Sequence, residues 1–216
     1  MIKIIPAVLT NDKNTALEQI RAVEGIAERV SIDIIDGRYA ENKTIDPLIL
    51  ADFNSPLVFD YQLMVYEPIN WIDKCTSSHA DRIIGHVEFM NDQKDFITKV
   101  KESGAKPGLG LDLNTPLEKI QTEVFGHISV LLLMSVKAGF SSQKFDESVY
   151  KKIEQAMQLR VMNNFSFSIQ IDGGVDKEIA KKLDVMGVEE VSITSKVFQG
   201  NPSFNLNEIN TYLSQP

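Results

Sequence analysis

The stretch SIDIIDG, residues 31–37, decides how the rest of the chain is interpreted. Apolar and mostly β-branched side chains around one aspartate predict a buried strand over residues 30–35, and Asp36-Gly37 predicts the turn that ends it. A carboxylate on a buried strand is costly unless it has hydrogen-bond partners or a chemical task. Asp33 is therefore the first candidate for a functional residue.

A second stretch, IQIDGGV at residues 169–175, repeats this design: an apolar strand ends in Asp172 and is followed by two glycines. Two such strands predict that Asp33 and Asp172 converge on one pocket. The alternative is a pair of ordinary strand-to-turn transitions, in which Asp and Gly are common. Each stretch alone favours that alternative, and only the architecture of the whole chain can distinguish the two interpretations.

Apolar strands alternate with helical patterns along all 216 residues, without a linker or a low-complexity segment. Strands are predicted at 2–9, 30–35, 57–65, 82–88, 107–113, 128–134, 167–171 and 190–194. Helical segments are predicted from Asn11 or Asp12, at 47–53, at 68–77, at 92–103, from Thr115, at 147–162, at 176–186 and at 205–213. Eight such units predict an α/β protein with a parallel sheet closed into a (β/α)8 TIM barrel, a single domain over residues 1–216. The alternative is an open doubly wound sheet, but Gly108-Leu109-Gly110 lies inside a strand and lacks the third glycine of a dinucleotide fingerprint.

Composition excludes several classes of function. A net charge of -8 offers no basic footprint for nucleic acid, and no apolar run approaches the ~18 residues of a membrane span. Cys75 is the only cysteine, which excludes an internal disulfide and fits a reducing compartment. We interpret it as a structural thiol near a helix end. Because a strand begins at Ile2, we expect no signal peptide and a cytoplasmic location.

In a barrel, side chains at the carboxyl ends of the strands share one mouth. Strands two and seven lie apart on the ring, so Asp33 and Asp172 can approach a ligand from opposite faces. The other residues predicted at this mouth are Asp36, Gln62, Glu88, Asp112, Met134 and Thr194-Ser195.

Two longer motifs resemble the signatures of the ribulose-phosphate 3-epimerase family. The first is IDIIDG at 32–37 with Tyr39, Asn42 and Thr44, and the second is LLMSVKAGF at 132–140 with Gln143, Lys144 and Phe145. Shorter matches follow in the same order: QLMV at 62–65, HVE at 86–88, TPLE at 115–118 and IDGGV at 171–175. The resemblance covers nearly the whole chain. It implies a cytoplasmic isomerase of the pentose phosphate pathway that interconverts D-ribulose 5-phosphate and D-xylulose 5-phosphate.

The resemblance also implies that Asp33 and Asp172 are the acid and base on opposite faces of C3. In the family a divalent metal is held by these two aspartates and two histidines, and the histidine positions are Ser31 and Gln62 here. Ser is a poor ligand for zinc or iron and Gln offers one neutral oxygen, so we assign no metal-binding residues and expect no stoichiometric metal. Two carboxylates and an amide oxygen can still hold Mg²⁺ or Mn²⁺ weakly. Without a metal, the two aspartates repel each other, which raises one pKa.

The phosphate end of the family's site has counterparts at Gly173-Gly174, since barrels of this kind bind phosphate with backbone N–H groups after strands seven and eight. Thr194-Ser195 stand where the family has Gly-Ser, and Lys196 is either an added cation or a surface lysine. Gly139 belongs to the loop that covers the substrate in the family. Met64 and Met134, at the ends of strands three and six, complete the predicted substrate-binding set.

Three functions compete. A sugar-phosphate 3-epimerase, acting on the pentulose 5-phosphates or a related ketose phosphate, is favoured by the aspartates and the phosphate loop. A paralogue that binds a sugar phosphate without turnover is favoured by Ser31, Gln62 and Ala7, the last replacing a substrate-contacting Ser. A decarboxylase or aldolase-type barrel needs Asp-x-Lys-x-x-Asp on strand three, and DYQLMV at 60–65 lacks the Lys and the final Asp. We adopt the first, with a small phosphorylated sugar as ligand, no nucleic-acid or membrane partner, and a homo-oligomeric state as is common in the family.

Overall fold

Eight parallel strands close into a barrel in the computed structural model, which describes residues 1–215. Each strand pairs with the next along the chain, and the eighth pairs with the first, Lys3 opposite Glu190. The predicted (β/α)8 barrel is therefore confirmed. The strands are β1 Lys3–Val8, β2 Arg29–Ile35, β3 Val58–Met64, β4 Ala80–His86, β5 Lys106–Leu111, β6 Val130–Met134, β7 Ser168–Asp172 and β8 Glu190–Ile193.

Helices cover the outside of the barrel. They are α1 Lys13–Ala22, α2 Ile72–Ser77, α3 Gln93–Glu102, α4 Val149–Met162, α5 Lys177–Met186, α6 Ser195–Phe198 and α7 Pro202–Ser214. Aspartates start three of them: Asp12, Asp92 and Asp176 each accept a hydrogen bond from the backbone N–H three residues later. These caps satisfy N–H groups that have no partner within the helix. None of the helices among the described residues is long and apolar enough to cross a membrane.

Three predicted helical segments contain 3₁₀ turns, and two of them are shorter than expected. Residues 47–53 hold a 3₁₀ turn at Pro47–Leu50, and the segment from Thr115 holds one at Leu117–Lys119. The segment 68–77 begins with a 3₁₀ turn at Pro68–Trp71 and continues as α2. Segments this short make few i→i+4 hydrogen bonds, so the tighter 3₁₀ geometry takes their place.

The last helix is longer than predicted. It begins at Pro202 rather than residue 205, because the Asn201 side chain accepts a hydrogen bond from the Phe204 N–H at 3.0 Å. Asn followed by Pro at the first helical position is a typical start signal.

The barrel separates two interiors. The larger core lies between the outer face of the strands and the helices, where Leu63 and Leu133 are buried with helix residues such as Ile20, Phe96 and Leu183. Inside the barrel, a smaller apolar cluster around Ile35, Ile84 and Leu132 shares the space with polar groups. The buried polar residues carried on the strands are Ser31, Asp33, Asp60, Gln62, Arg82, His86, Gln170, Asp172 and Ser192.

One group of these polar residues lies towards the amino-terminal ends of the strands. Arg82 donates to Asp60 at 2.5 Å, to Glu190 at 2.7 Å and to Gln170 at 3.0 Å. Arg29 pairs with the same Asp60. Asp81 links Arg29, at 2.9 Å, to Lys106, at 3.1 Å. We call Arg29, Asp60, Asp81, Arg82, Lys106 and Glu190 the lower charge network; its three cations and three carboxylates compensate one another.

The single cysteine lies on α2 with no exposed surface. Burial raises the pKa of the Cys75 thiol, and the charge of Asp46 raises it further. The reactive thiolate is therefore disfavoured, which fits a structural thiol.

Candidate active site

A cavity of about 770 Å³ opens at the carboxyl ends of the strands. All nine residues predicted for catalysis or substrate binding line it: Asp33, Met64, Met134, Gly139, Asp172, Gly173, Gly174, Thr194 and Ser195. The structure therefore brings the predicted set together, and the role of each member stays a prediction. Residues 139–145 of the loop after β6 form one wall of the cavity.

Two further aspartates predicted at the mouth hold loops in place. The Asp36 carboxylate accepts hydrogen bonds from the backbone N–H groups of Arg38, Tyr39 and Tyr66, the last at 2.7 Å. The Asp112 carboxylate accepts from Ala138 N–H at 3.1 Å, and so connects the loop after β5 to the loop after β6. Both residues shape the cavity from behind.

The two central aspartates are almost fully buried. Asp33 is 2% exposed on β2, and Asp172 is 7% exposed at the end of β7. The Ser31 hydroxyl donates to Asp33 Oδ1 at 3.3 Å, and the Gln62 amide donates to Asp172 Oδ2 at 3.1 Å. Burial raises the pKa of both carboxyl groups, and the charge of Asp172 raises that of Asp33 further. Repulsion alone predicted one raised pKa; both are raised because desolvation acts on each carboxylate.

Gln62 lies beside Asp172, beneath the cavity lining, with no exposed surface. Besides Asp172, its Nε2 lies 3.2 Å from His86 Nε2 and 3.3 Å from Met134 Sδ. Its Oε1 is buried and has no hydrogen-bond partner among residues 1–215. The amide thus presents its nitrogen to the Asp172 carboxylate.

A cluster of three side chains behind Gln62 was given no functional role from the sequence. The Tyr39 hydroxyl donates to Glu88 Oε2 at 2.8 Å and lies 3.0 Å from His86 Nδ1. The signal was available, because Tyr39 belongs to the first signature and the HVE motif ends β4. Strand alternation places His86 on the same face of β4 as Ile84 and Arg82, inside the barrel. What the sequence could not supply was the partner of each group.

Where the sequence predicts phosphate binding, the loops after β6 and β7 pack directly on each other. Gly174 has a φ of +64°, and a Cβ there would lie 2.4 Å from the Phe145 backbone nitrogen. Any other residue at Gly174 would push the covering loop away. The loop is also held by the loop after β2, because the Asn42 amide donates to the Gly139 carbonyl at 2.6 Å. Lys196 lines the same cavity and is exposed.

A model of the ribulose-phosphate 3 epimerase family matches residues 3–198. The chain belongs to this family. The ribulose-phosphate 3-epimerase of Bacillus subtilis is 34% identical over 202 residues, which are 92% of this chain and 93% of the relative. The chloroplastic ribulose-5-phosphate-3-epimerase of Arabidopsis thaliana is 31% identical over 202 residues, 91% of this chain and 72% of the relative.

A solved structure with the same fold is more distant in sequence. A mutant tryptophan synthase alpha-subunit from Pyrococcus furiosus superimposes with a TM-score of 0.69 at 17% identity, covering 100% of both chains. At this level of identity the likeness shows the barrel alone.

The ribulose-phosphate 3-epimerase family typically depends on a divalent metal, and the residues of this site do not fit one. The two imidazole positions are Ser31 and Gln62, and both side chains donate hydrogen bonds to the carboxylates that would share the metal. Gln62 directs an N–H at Asp172 Oδ2, and an N–H donor cannot replace the lone pair of a ligating imidazole. Within residues 1–215, no three His, Cys, Asp or Glu side chains group closely enough to hold a metal ion. The carboxylates here are held by hydrogen-bond donors.

Proposed function

We propose that this chain is a sugar-phosphate 3-epimerase that interconverts D-ribulose 5-phosphate and D-xylulose 5-phosphate, or a related pair of ketose phosphates. The observation that carries the proposal is the pair of buried carboxyl groups, Asp33 and Asp172, in one cavity. They stand on β2 and β7, with β1 and β8 between them on the ring. Groups placed in this way can reach the two faces of one carbon atom.

Inversion at C3 needs a base on one face and an acid on the other. The ionised carboxylate takes the C3 proton, the C–H electron pair moves into the C2–C3 bond, and the carbonyl oxygen at C2 takes the negative charge. The protonated carboxyl group then gives its proton to C3 from the opposite face, and the carbonyl re-forms. The two aspartates have exchanged roles at this point, so proton exchange with solvent resets the pair.

The electrostatics of the site suit this exchange. A carboxyl group works best as acid and base when its pKa lies near the operating pH. Burial raises the pKa of Asp33 and of Asp172, and the charge of one opposes ionisation of the other. The pair is thereby disposed to share one proton.

The remaining lining residues support a phosphorylated ligand. We assign the phosphate to the backbone around Gly173-Gly174 and Thr194-Ser195, with the ammonium group of Lys196 at the rim. Met64 and Met134 supply an apolar wall beside the sugar carbons, and Gly139 belongs to the loop over them. A homo-oligomeric state and a cytoplasmic location stay predictions.

The test replaces each aspartate by asparagine, which keeps the shape and removes the proton acceptor. Asp33→Asn and Asp172→Asn should each lower kcat by at least ~10²-fold. In deuterated water, wild type should place deuterium at C3 of the ketose phosphate and neither variant should. Binding of inorganic phosphate should be unchanged, because other loops hold that group. Asp73→Asn, an exposed aspartate on α2, is the matched control and should retain full activity. Turnover that survives both substitutions would refute the assignment.

A second candidate function is favoured by the poor fit to the family's metal. Hydrogen-bond donors around Asp33 and Asp172 are also compatible with a protein that binds a sugar phosphate without converting it. That function predicts saturable binding of ribulose 5-phosphate, no turnover and no exchange of the C3 proton in wild type.

A further inference from the structure

Four side chains connect in series behind the site and end on Asp172. Glu88 accepts from the Tyr39 hydroxyl at 2.8 Å, and the Tyr39 oxygen lies 3.0 Å from His86 Nδ1. His86 Nε2 lies 3.2 Å from Gln62 Nε2, which lies 3.1 Å from Asp172 Oδ2. We call Glu88, Tyr39, His86 and Gln62 the relay.

The direction of the hydrogen bonds in the relay is set at its Glu88 end. Burial opposes ionisation of Glu88, but two donors hold the ionised form: the Tyr39 hydroxyl at 2.8 Å from Oε2 and the Asp112 backbone N–H at 2.7 Å from Oε1. His86 Nδ1 lies 3.5 Å from Oε2, and the pKa of Glu88 is lowered. An ionised carboxylate only accepts hydrogen bonds. Tyr39 has a single hydroxyl proton, and Glu88 takes it.

The remaining directions follow from counting protons. Because the Tyr39 proton points to Glu88, the Tyr39 oxygen must accept from Nδ1–H of His86. A neutral imidazole protonated at Nδ1 has a bare Nε2, which is an acceptor. The group facing that acceptor must be the N–H of Gln62 rather than its oxygen. The second N–H of the same amide is then free to face Asp172.

The opposite orientation of the amide fails at two contacts. Turning Gln62 over would place Oε1 against the lone pair of His86 Nε2 and, whenever Asp172 is ionised, against its carboxylate. In a fully buried site, two facing acceptors are costly because neither can bond to water. The relay therefore selects one of two amide orientations that are otherwise nearly equal in shape.

We propose that Gln62 is a positioning residue, locked by Glu88, Tyr39 and His86 with its nitrogen towards Asp172, and that this N–H holds the carboxylate where other family members use a metal and its imidazole ligand. The inference rests on the proposed epimerase function for its kinetic consequence, while the orientation of the relay is a property of the protein alone. Because no step then requires a cation, turnover should be independent of added divalent metal.

Glu88→Gln is the sharpest test, since it keeps the shape of the side chain and removes the charge. The new amide can accept from Asp112 N–H and donate to the Tyr39 oxygen, so Tyr39 would turn its proton to His86 Nδ1. Nitrogen NMR of His86 should then show a bare Nε2 in wild type and a bare Nδ1 in the variant. Glu102→Gln, at the exposed end of α3, is the matched control and should leave the His86 signals unchanged.

The kinetic arm uses Gln62→Leu as a second variant. Glu88→Gln and Gln62→Leu should each lower kcat by about tenfold, the worth of one hydrogen bond, with KM within about twofold. Adding Glu88→Gln to Gln62→Leu should cause no further loss, because the two residues act in series. Additive losses, or a wild-type kcat that falls on treatment with EDTA and returns with Mn²⁺, would overturn the proposal.

The NMR experiment tests the orientation of the relay, and the kinetic experiment tests the proposed function, so the two can fail separately. Wild type with a protonated Nε2 on His86 would refute the relay whatever the enzyme does. Absence of turnover on every ketose phosphate would refute the epimerase, while a bare Nε2 that moves to Nδ1 in Glu88→Gln would still support the locked orientation of Gln62.

Discussion

The two ends of the barrel interior bury carboxylates under opposite conditions. In the lower charge network, the fully buried Asp60 contacts the guanidinium groups of Arg29 and Arg82. At the mouth, Asp33 and Asp172 receive hydrogen bonds from a neutral hydroxyl and a neutral amide. The lower end balances its charges, and the mouth leaves two carboxyl groups competing for protons.

This difference separates carboxylates that stabilise the barrel from carboxylates that can react. Burial raises the pKa of Asp60 as well, but the charges and hydrogen bonds of Arg82 and Arg29 oppose that rise and favour the ionised form. A buried carboxyl group without such partners has a raised pKa and changes protonation state easily, which is typical of functional sites. Substitutions at the two ends should therefore change stability in opposite directions.

The largest effect is expected at Arg82. Arg82→Met keeps most of the side-chain volume but leaves Asp60, Glu190 and Gln170 without their shared donor. We expect the free energy of unfolding to fall by about 3–5 kcal/mol, the usual cost of breaking a buried ion pair. Urea denaturation at pH 7 measures it. A loss below about 1 kcal/mol is typical of an exposed ion pair and would contradict the stabilising role given to the lower charge network.

Asp172→Asn should raise the free energy of unfolding at high pH, whereas Arg82→Met lowers it. Burial raises the pKa of Asp172 to about 6 in the folded chain, from 3.8. Between these values the folded state binds the extra proton, so wild-type stability falls as the pH rises from about 4 to about 6 and then levels. Asparagine lacks this loss, and the variant should be more stable than wild type at pH 8 by about 1–3 kcal/mol.

Urea denaturation at pH 4 and at pH 8 measures the effect of Asp172→Asn, with Asp73→Asn as the exposed control. The gain should shrink towards zero at pH 4, where the wild-type carboxyl group is protonated. A variant that is less stable than wild type at pH 8 would contradict the uncompensated state of Asp172.

The smallest effect is expected at the rim of the lower charge network. The Lys106 side chain is 60% exposed, and its ion pair with Asp81 is open to solvent. Lys106→Met should change the free energy of unfolding by less than about 1 kcal/mol, and less still at high salt. A loss as large as that of Arg82→Met, measured in the same urea titration, would show that the network acts as one unit.

The fold could be predicted because its signals are local. Strand and helix patterns alternate without interruption, and aspartates such as Asp12 and Asp176 mark helix starts directly in the sequence. The short turns at Pro47–Leu50 and Leu117–Lys119 were predicted as helices, because periodicity over so few residues does not distinguish 3₁₀ from α geometry. Strand starts were off by at most two residues, as for β6, predicted at 128 and found at Val130.

The predicted site residues lie together because strand ends meet in any closed parallel barrel. The connections among polar groups could not be predicted in the same way. Tyr39 and Glu88 are 49 residues apart, and Arg82 and Glu190 are 108 apart. Which of them touch depends on the stagger of strands around the ring and on which side chain reaches inward. A charged residue near the start of a strand, such as Arg82, is ordinarily expected in solvent.

The buried thiol on α2 provides a built-in probe of local unfolding. Cys75 is the single cysteine and has no exposed surface, so a thiol reagent can reach it only when α2 separates from the barrel wall. The labelling rate at rising reagent concentration thus times that local event without any engineered probe. α2 directly precedes β4, which carries both Arg82 and His86. The labelling rate of Cys75 therefore also reports on the part of the barrel that connects the lower charge network to the mouth.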